Sequence, residues 1–302
     1  MNIVSFCSLI IVPAMLFLGS SCANTPSLTT STKVSPSITF VPLKNGEESF
    51  QSKYSTIVLR DKGSIRSMYF VRDSGQMVLE SAIDMKEPSL LRVPYTQVMM
   101  GAFLFHPSPK STLMIGVGGG SMPQYMQAYY PKIYMDAVDI DPEVIRIAKT
   151  YFSVQPSSTL VLHEADGFYF IDSCTEKYDI LFMDAFLKPS EDTDATGTPL
   201  RLKTMKFYRQ INSCLKDDGL VAFNINRSSA LLQDLKNIRE SFAQIWVVPV
   251  PERGNVVVFA STRKKKITDT ELRLRAKKMD TENPTSLSYG RILDIILQAD
   301  DL

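Results

Sequence analysis

Residues 112–121 read T-L-M-I-G-V-G-G-G-S, and this stretch decides the fold. A continuous apolar run ends in glycines here, and a helical pattern follows over residues 122–130. Glycine allows a tight turn between a strand and a helix and a close approach of the backbone to a ligand. The helix start leaves backbone N–H groups unpaired, which favours binding of an anionic or polar group. Ser121 is the expected cap of that helix, and Pro123 suits its first turn.

Downstream of the glycines, buried strand patterns alternate with helical patterns as far as residue 261. This alternation indicates a mostly parallel sheet with helices on both faces. The last two strand patterns, I-W-V-V-P-V and N-V-V-V-F-A-S, are joined by a short connection and should pair antiparallel. The fold class is therefore α/β. A Rossmann-like domain is expected over residues 91–262 and a helical tail over residues 263–302.

Upstream of the glycines, residues 53–90 carry three short β-rich runs. The turn signals D-K-G and D-S-G separate them, which predicts a small antiparallel sheet. Three short strands bury too little area to be stable alone. We therefore expect this small β domain to pack on the larger domain.

Composition excludes several classes of protein. The 302 residues are 44% hydrophobic and 22% charged, so wholesale disorder and coiled-coil or collagen-like architectures are not expected. The 33 basic residues balance 32 acidic ones, which removes the broad electrostatic case for a nucleic-acid partner. Four cysteines are too few for a disulfide scaffold. Two histidines argue against a His-rich metal site or a His-dependent hydrolase, and no metal is expected.

The N-terminus has the pattern of an export signal. The apolar run Ser8–Leu18 suits a signal-peptide core and is too short to span a bilayer. Cleavage after Ala23 and lipidation of Cys22 at a lipobox-like site both fit, although no basic residue precedes the run. We expect a signal peptide at 1–23, a flexible linker at 24–52, and a periplasmic or lipid-anchored location. A cytoplasmic protein with a buried or frayed N-terminal segment is the alternative.

Three aspartates follow strand patterns at one predicted edge of the sheet. Asp139, Asp166 and Asp184 end the second, third and fourth strands counted from the glycine stretch. Ligands of open α/β sheets bind at the carboxyl ends of the strands, so these acids should line one crevice with the glycines. Asp139 can accept hydrogen bonds from both ribose hydroxyls of a nucleoside, and Asp166 can accept one from an adenine amino group. Asp141 is better explained as a helix cap. This spacing suits adenosyl-sulfonium enzymes better than dehydrogenases.

Together these features resemble the spermidine synthases and their relatives over residues 54–261. The resemblance rests on L-M-I-G-V-G-G-G-S at 113–121, V-D-I-D at 138–141, A-D-G at 165–167, Y-D-I-L-F-M-D at 178–184, F-Y at 207–208 and L-K-D-D-G at 215–219. It implies a methyltransferase-like Rossmann fold with a seven-stranded sheet whose last strand is antiparallel. It also implies transfer of an aminopropyl group from decarboxylated S-adenosylmethionine to a small-molecule amine, with release of methylthioadenosine. A homodimer is one assembly that the resemblance allows.

The family motifs also imply site residues by position. Asp184 would orient and deprotonate the attacking amine, and Tyr95 would line the amine site. An ammonium is no nucleophile until it loses a proton, and a carboxylate in a partly closed crevice can accept that proton. The cofactor-binding residues implied are Gly116, Gly118, Gly119, Asp139, Asp166 and Gly167.

Several positions depart from the family's usual motifs. Gly119 stands where the family has an aspartate that contacts the aminopropyl amine, and Leu187 stands where it has a second amine-binding acid. L-E-S-A-I-D at 79–84 replaces Leu-Asp-Gly-x-x-Gln, and Thr96 replaces a glutamine. A doubly charged diamine needs counter-charges, so specificity for putrescine is not expected.

The loop at 188–199 contains Glu191, Asp192 and Asp194. We expect it to act as a lid that supplies negative charge, with a merely solvated loop as the alternative.

Three functions fit this pattern. We favour aminopropyl transfer. A methyltransferase is the first alternative, because Gly119 could readmit the carboxylate of intact S-adenosylmethionine. A non-catalytic nucleoside-binding relative is the second, and export favours it because neither adenosyl cofactor is expected in quantity outside the cytoplasm. A NAD-dependent dehydrogenase lacks an identifiable hydride-site residue, and fold alone does not decide function.

Overall fold

The computed structural model describes residues 39–187, 191–251, 254–282 and 285–300. The predicted signal peptide, with Cys22 and the first part of the predicted linker, lies outside these ranges. Within them, no helix combines the length and the apolar composition needed to cross a membrane.

Near the N-terminus, four strands form a small antiparallel sheet in the order β1-β2-β3-β4. They are β1 Glu47–Gln51, β2 Thr56–Lys62, β3 Ile65–Val71 and β4 Met77–Asp84. The last three are the predicted strands. Strand β1 lies inside the segment predicted as linker, so the linker does not extend to residue 52. Its sequence, E-E-S-F-Q, lacks a strand pattern because β1 is a polar edge strand, in which Phe50 packs on Tyr151 with ring centroids 5.2 Å apart.

The second sheet has seven strands in the order β10-β11-β9-β8-β5-β6-β7. They are β5 Ser111–Ile115, β6 Tyr134–Asp139, β7 Leu160–Glu164, β8 Tyr178–Met183, β9 Leu215–Asn226, β10 Gln244–Pro249 and β11 Asn255–Ser261. Strand β11 runs antiparallel to both β9 and β10, and the remaining neighbours pair parallel. This confirms the predicted fold class. The strand order reverses between β5 and β8, which is where open α/β sheets bind their ligands.

Nine α-helices accompany these sheets in the described residues. They are α1 Pro94–Met99, α2 Ala102–Phe105, α3 Ser121–Tyr129, α4 Pro142–Tyr151, α5 Gly167–Asp172, α6 Met205–Cys214, α7 Leu231–Ser241, α8 Asp269–Glu282 and α9 Tyr289–Asp300. The first two, α1 and α2, are short helices that follow each other closely before β5. A 3-10 helix, Leu200–Lys203, precedes α6, and Thr204 caps α6 by accepting a hydrogen bond from the Phe207 N–H group.

A buried arginine connects the small sheet to the larger domain by a hydrogen bond. Arg66 on β3 is 1% exposed and donates two hydrogen bonds of 2.8 Å to the Asp61 carboxylate. Its third hydrogen bond, 2.7 Å long, goes to the carbonyl oxygen of Tyr151 at the end of α4. Buried polar groups need hydrogen-bond partners, so this contact joins the small sheet to α4 of the larger domain. The small sheet therefore packs on the larger domain, as its size predicts.

Candidate functional site

The turn between β5 and α3 has a left-handed backbone. Gly116, Gly118 and Gly120 have φ values of 90°, 54° and 73°. A Cβ atom on Gly116 would lie 2.0 Å from the carbonyl oxygen of Asp184, so a side chain cannot be accommodated there. Gly120 is the N-cap of α3, and no side chain bonds to the start of this helix. The prediction that Ser121 caps α3 is therefore wrong, because the glycine turn places Ser121 inside the first helical turn.

A first cavity lies at the edge where the carboxyl ends of β5, β6 and β8 meet. It encloses about 1040 Å³ of atom-free space, part of it open to solvent, which is room for a nucleoside. Seven of the predicted site residues line it: Tyr95, Gly116, Gly118, Asp139, Asp166, Gly167 and Asp184. The structure thus brings these seven residues together around one cavity.

Asp139, at the end of β6, holds the glycine turn in position. Its Oδ2 atom accepts a hydrogen bond of 2.8 Å from the Val117 N–H group, and Oδ1 accepts one of 3.0 Å from the Asp141 N–H group. Burial raises the pKa of the Asp139 carboxyl to about 6. Each carboxylate oxygen can accept more than one hydrogen bond, so capacity remains for a ligand in the cavity. Asp141 caps α4 as predicted, by accepting from the Glu143 N–H group.

Asp166 is the N-cap of α5 as well as a cavity residue. Its Oδ1 atom accepts a hydrogen bond of 2.8 Å from the Phe168 N–H group. A Cβ atom on the neighbouring Gly167 would lie 2.5 Å from the Ile115 side chain, so glycine is required for this close packing of α5 on β5. The capping bond gives this aspartate a structural role, and its Oδ2 atom accepts no hydrogen bond from the described residues.

Asp184, just after β8, is held at both of its carboxylate oxygens. Tyr95 donates its hydroxyl hydrogen to Oδ2 at 2.9 Å, and Asn224 donates from Nδ2 to Oδ1 at 2.8 Å. Burial raises the pKa of the Asp184 carboxyl to about 6, partly offset by these two donors. Burial and the Asp184 charge raise the pKa of Tyr95, which keeps its hydroxyl protonated as a donor. The arrangement is a fixed carboxylate that can accept one proton near neutral pH.

Sequence reasoning missed Asn224 as a partner of Asp184. Asn224 lies on β9, where F-N-I-N at 223–226 alternates apolar and amide side chains at the end of a buried strand. Its Oδ1 atom accepts a hydrogen bond of 2.9 Å from Asn255 Nδ2, which fixes the amide so that Nδ2 faces Asp184. Amide groups at alternate positions in an otherwise apolar strand were the available signal.

Sequence reasoning also missed Glu80 as a cavity residue. Met68 of β3 lies opposite Ser81 of β4, and the next residue, Tyr69, lies opposite Leu79. Glu80 is therefore the extra residue of a β-bulge, which explains how two consecutive residues, Glu80 and Ser81, both line the first cavity. Burial, and then the Asp184 charge, raise the pKa of the Glu80 carboxyl to about 8.

Gly119 is the one predicted site residue that does not line the cavity. A Cβ atom there would lie 2.8 Å from the Phe152 ring and 2.8 Å from Ser81 Oγ. Phe152 is fully buried, so the ring cannot easily move away. The space for an acidic side chain at this position is thus filled, in part by the serine that replaces the family's glycine at position 81.

The acidic loop does not supply charge to the site in the way predicted. Asp194 accepts hydrogen bonds of 2.8 and 3.0 Å from N–H groups two and four residues further along the loop, and it pairs with Lys203 at 2.7 Å. Glu191 and Asp192 are exposed, and none of the three acids lines a cavity described in this section. The expectation is wrong for these acids because Asp194 organises the loop itself. Residues 188–190 lie outside the described residues.

A second cavity adjoins the first on the side of the small sheet. Phe70, Glu80, Tyr95, Phe186 and Leu187 line both cavities. The second encloses about 800 Å³ of atom-free space, part of it open to solvent. The remaining residues that line it are Val71, Arg72, Val78, Leu79, Val93, Thr196, Asn224, Asn226 and Asn255. Tyr95 and Asn224, which donate hydrogen bonds to Asp184, both line the second cavity. The Asp184 carboxylate therefore lies where the two cavities meet.

Comparison with known proteins identifies similar chains. The chain is 29% identical over 215 residues to the polyamine aminopropyltransferase of Vibrio vulnificus (strain CMCP6), covering 70% of each chain. It is 27% identical over 158 residues to the eEF1A lysine and N-terminal methyltransferase of Mus musculus, covering 50% of this chain and 22% of that protein. A probable spermidine synthase from Corynebacterium glutamicum ATCC 13032 superposes with a TM-score of 0.63 at 18% identity, covering 83% of this chain and 94% of that one. The structural likeness shows a shared fold.

The family model of the spermine/spermidine synthase domain matches residues 93–271. This range spans more than half of the chain and includes the glycine turn, the three strand-end aspartates and Asn224. The chain therefore belongs to the spermine/spermidine synthase domain family.

Proposed function

We propose that this protein transfers an aminopropyl group from decarboxylated S-adenosylmethionine to a small amine and releases methylthioadenosine. The observation that carries the proposal is the Asp184 carboxylate, which is held by Tyr95 and Asn224 at the junction of the two cavities. The name of the Vibrio relative states the same class of activity for that protein. The first cavity would take the nucleoside, and the second would take the amine.

The chemistry needs a proton acceptor at this junction. The amine nitrogen attacks the propyl carbon next to the sulfonium, the N–C bond forms, and the C–S bond breaks with its electron pair going to sulfur. The amine must first lose a proton, which Asp184 accepts. Since Tyr95 and Asn224 fix both carboxylate oxygens, Asp184 needs no reorientation to do so.

Residues of the first cavity fit an adenosine group. Asp139 retains acceptor capacity for ribose hydroxyls, and Asp166 retains an oxygen for the adenine amino group. Ser81 lines the same cavity beside the glycine turn. Its hydroxyl, rather than an acid at position 119, would contact the transferred chain.

Calorimetry of the mature chain tests the nucleoside site and the identity of the donor. We expect binding of methylthioadenosine and decarboxylated S-adenosylmethionine, and weaker binding of intact S-adenosylmethionine. Tighter binding of intact S-adenosylmethionine would favour that molecule as the donor. Absence of binding by all three would overturn the proposal.

Methyl transfer is the second candidate function. Methyl transfer is favoured because position 119 is a glycine, whereas an acidic side chain there would repel the carboxylate of intact S-adenosylmethionine. The filled space around Gly119 argues against it, because Phe152 and Ser81 leave no room beside this residue for a carboxylate. Transfer of a labelled methyl group to an acceptor would establish it. A protein that binds nucleosides and transfers neither group would be the non-catalytic relative.

The pH profile should report on Asp184. The acid must be ionised to accept a proton, so kcat/KM should rise with pH through about 6, the pKa to which burial raises this carboxyl. Replacing Asn224 with leucine removes a donor to the ionised form, so the rise should move to higher pH and kcat should fall. The titratable groups around Asp184 are Tyr95, Asp139 and Glu80, and they remain in this variant.

Steady-state rates measured between about pH 5 and 8, where folded proteins are usually most stable, test this expectation. Asn237→Leu is the matched control, because Asn237 on α7 lines neither cavity. An unmoved profile in the Asn224 variant would contradict the role given to its hydrogen bond.

We also propose that the chain is exported and processed, because the apolar run Ser8–Leu18 is followed by small residues. Intact-mass measurement of protein from its native host should show a chain that begins after Ala23. A diacylglycerol mass on Cys22 would select lipidation instead. A cytosolic chain that retains its first residues would contradict export.

A further inference from the structure

The second cavity is lined by an arginine, Arg72, as well as by one acid, Glu80. Arg72 follows β3 and begins a tight turn in which its N–H group donates to the Gln76 carbonyl oxygen at 2.9 Å. Its own carbonyl oxygen accepts from the Gly75 N–H group at 2.8 Å. These two bonds hold the backbone at the cavity wall, and the Arg72 residue is half-buried.

The Arg72 guanidinium differs from the two arginines in the strands of the small sheet. Arg60 pairs with Glu47 and Arg66 pairs with Asp61. Within the described part of the chain, Arg72 has no such ion pair. Arg72 and Glu80 line the same cavity, and the Arg72 charge lowers the pKa of the Glu80 carboxyl against the larger effect of burial.

The other polar groups of this cavity are mostly neutral amides. Asn255 donates from Nδ2 to Oδ1 of Asn224 and to Oδ1 of Asn226, at 2.9 Å in each case. The position after β8 where a second acid would be expected is Leu187, which lines the cavity. The acids available to an acceptor, Asp184 and Glu80, both line the first cavity, beside the reacting amine, and the Asp184 charge raises the pKa of the Glu80 carboxyl.

We propose that the acceptor is an amine that also carries a carboxylate, an amino-acid-like molecule, with its carboxylate bound by Arg72 and its nucleophilic amine at Asp184. This inference rests on the proposed aminopropyl transfer. Arginine binds carboxylates by paired, charge-assisted hydrogen bonds, so an unpaired guanidinium in a cavity wall is a suitable partner. The far ammonium of a simple diamine would instead meet a like charge and the apolar Leu187.

Acceptor pairs that differ only by a carboxylate test the proposal. Release of methylthioadenosine from decarboxylated S-adenosylmethionine is measured with 1,4-diaminobutane against ornithine and with 1,5-diaminopentane against lysine. We expect kcat/KM to be at least about 10-fold higher for the carboxylated member of each pair, the usual effect of a hydrogen-bonded charge. Arg72→Gln should remove most of this preference, and Arg72→Lys should retain part of it.

Arg60→Gln is the control, because Arg60 lies in the same small sheet and lines neither cavity. It should keep the wild-type preference. Preference for the diamine in both pairs of wild-type assays would overturn the inference and leave aminopropyl transfer established. Unchanged preference in Arg72→Gln would overturn the role of Arg72. Absence of release with every acceptor would overturn the proposed function together with this inference.

Discussion

Asp184→Asn is expected to lower turnover by about 10²–10⁴-fold, the usual span for a positioned acid–base group. The substitution keeps the size of the side chain and removes its ability to accept a proton. Nucleoside binding should survive, because it depends on Asp139 and Asp166, which lie on other strand ends. The measurements are methylthioadenosine release for turnover and calorimetry with methylthioadenosine for binding.

The matched control for this experiment is Glu164→Gln. Glu164 ends β7 at the same edge of the sheet, is exposed, and lines neither cavity. It should retain wild-type turnover. Equal activity of wild type and Asp184→Asn would show that Asp184 is not the base, although the fold and the nucleoside site would stand.

Asp139→Ala is expected to weaken methylthioadenosine binding by at least about 100-fold, because charged hydrogen bonds to two ribose hydroxyls are lost together. The carboxylate also accepts from the Val117 N–H group, so its loss loosens the glycine turn as well. Asp139→Asn keeps one acceptor oxygen and should lose less affinity. Calorimetry measures both variants.

Thermal unfolding of the Asp139 variants separates the two effects. The fold should persist, because Asp139 lies at a cavity edge and the strand that carries it is paired on both sides. Wild-type affinity in Asp139→Ala would contradict the ribose assignment.

The sequence predicted the features that depend on strong local patterns. Strands β5 and β8 contain the buried apolar runs L-M-I and I-L-F-M. The aspartates at the ends of β6, β7 and β8 meet because parallel strands end at one edge. Other features depend on pairing partners that a single sequence does not contain. Strand β1 is polar and is defined by its backbone bonds to β2. The bulge at Glu80 depends on the register between β3 and β4.

Two features of the site could not be predicted from the sequence for a related reason. A short-range pattern places Asn224 on a strand, and only the neighbouring strand β11 supplies the Asn255 amide that orients it. Glycine at position 119 suggested open space, whereas the structure fills that space with Phe152 from the far end of α4. Packing between distant segments, rather than local propensity, decided both.

Release of methylthioadenosine from decarboxylated S-adenosylmethionine by the wild-type protein tests the central claim most directly. The assay uses a panel of monoamines, diamines, polyamines and amino acids as acceptors, and the Asp184→Asn variant is the reference protein. We predict release that depends on an acceptor, with an equal amount of aminopropylated acceptor detected by mass spectrometry. A protein that binds methylthioadenosine and yet releases none with any acceptor in the panel would contradict aminopropyl transfer at Asp184.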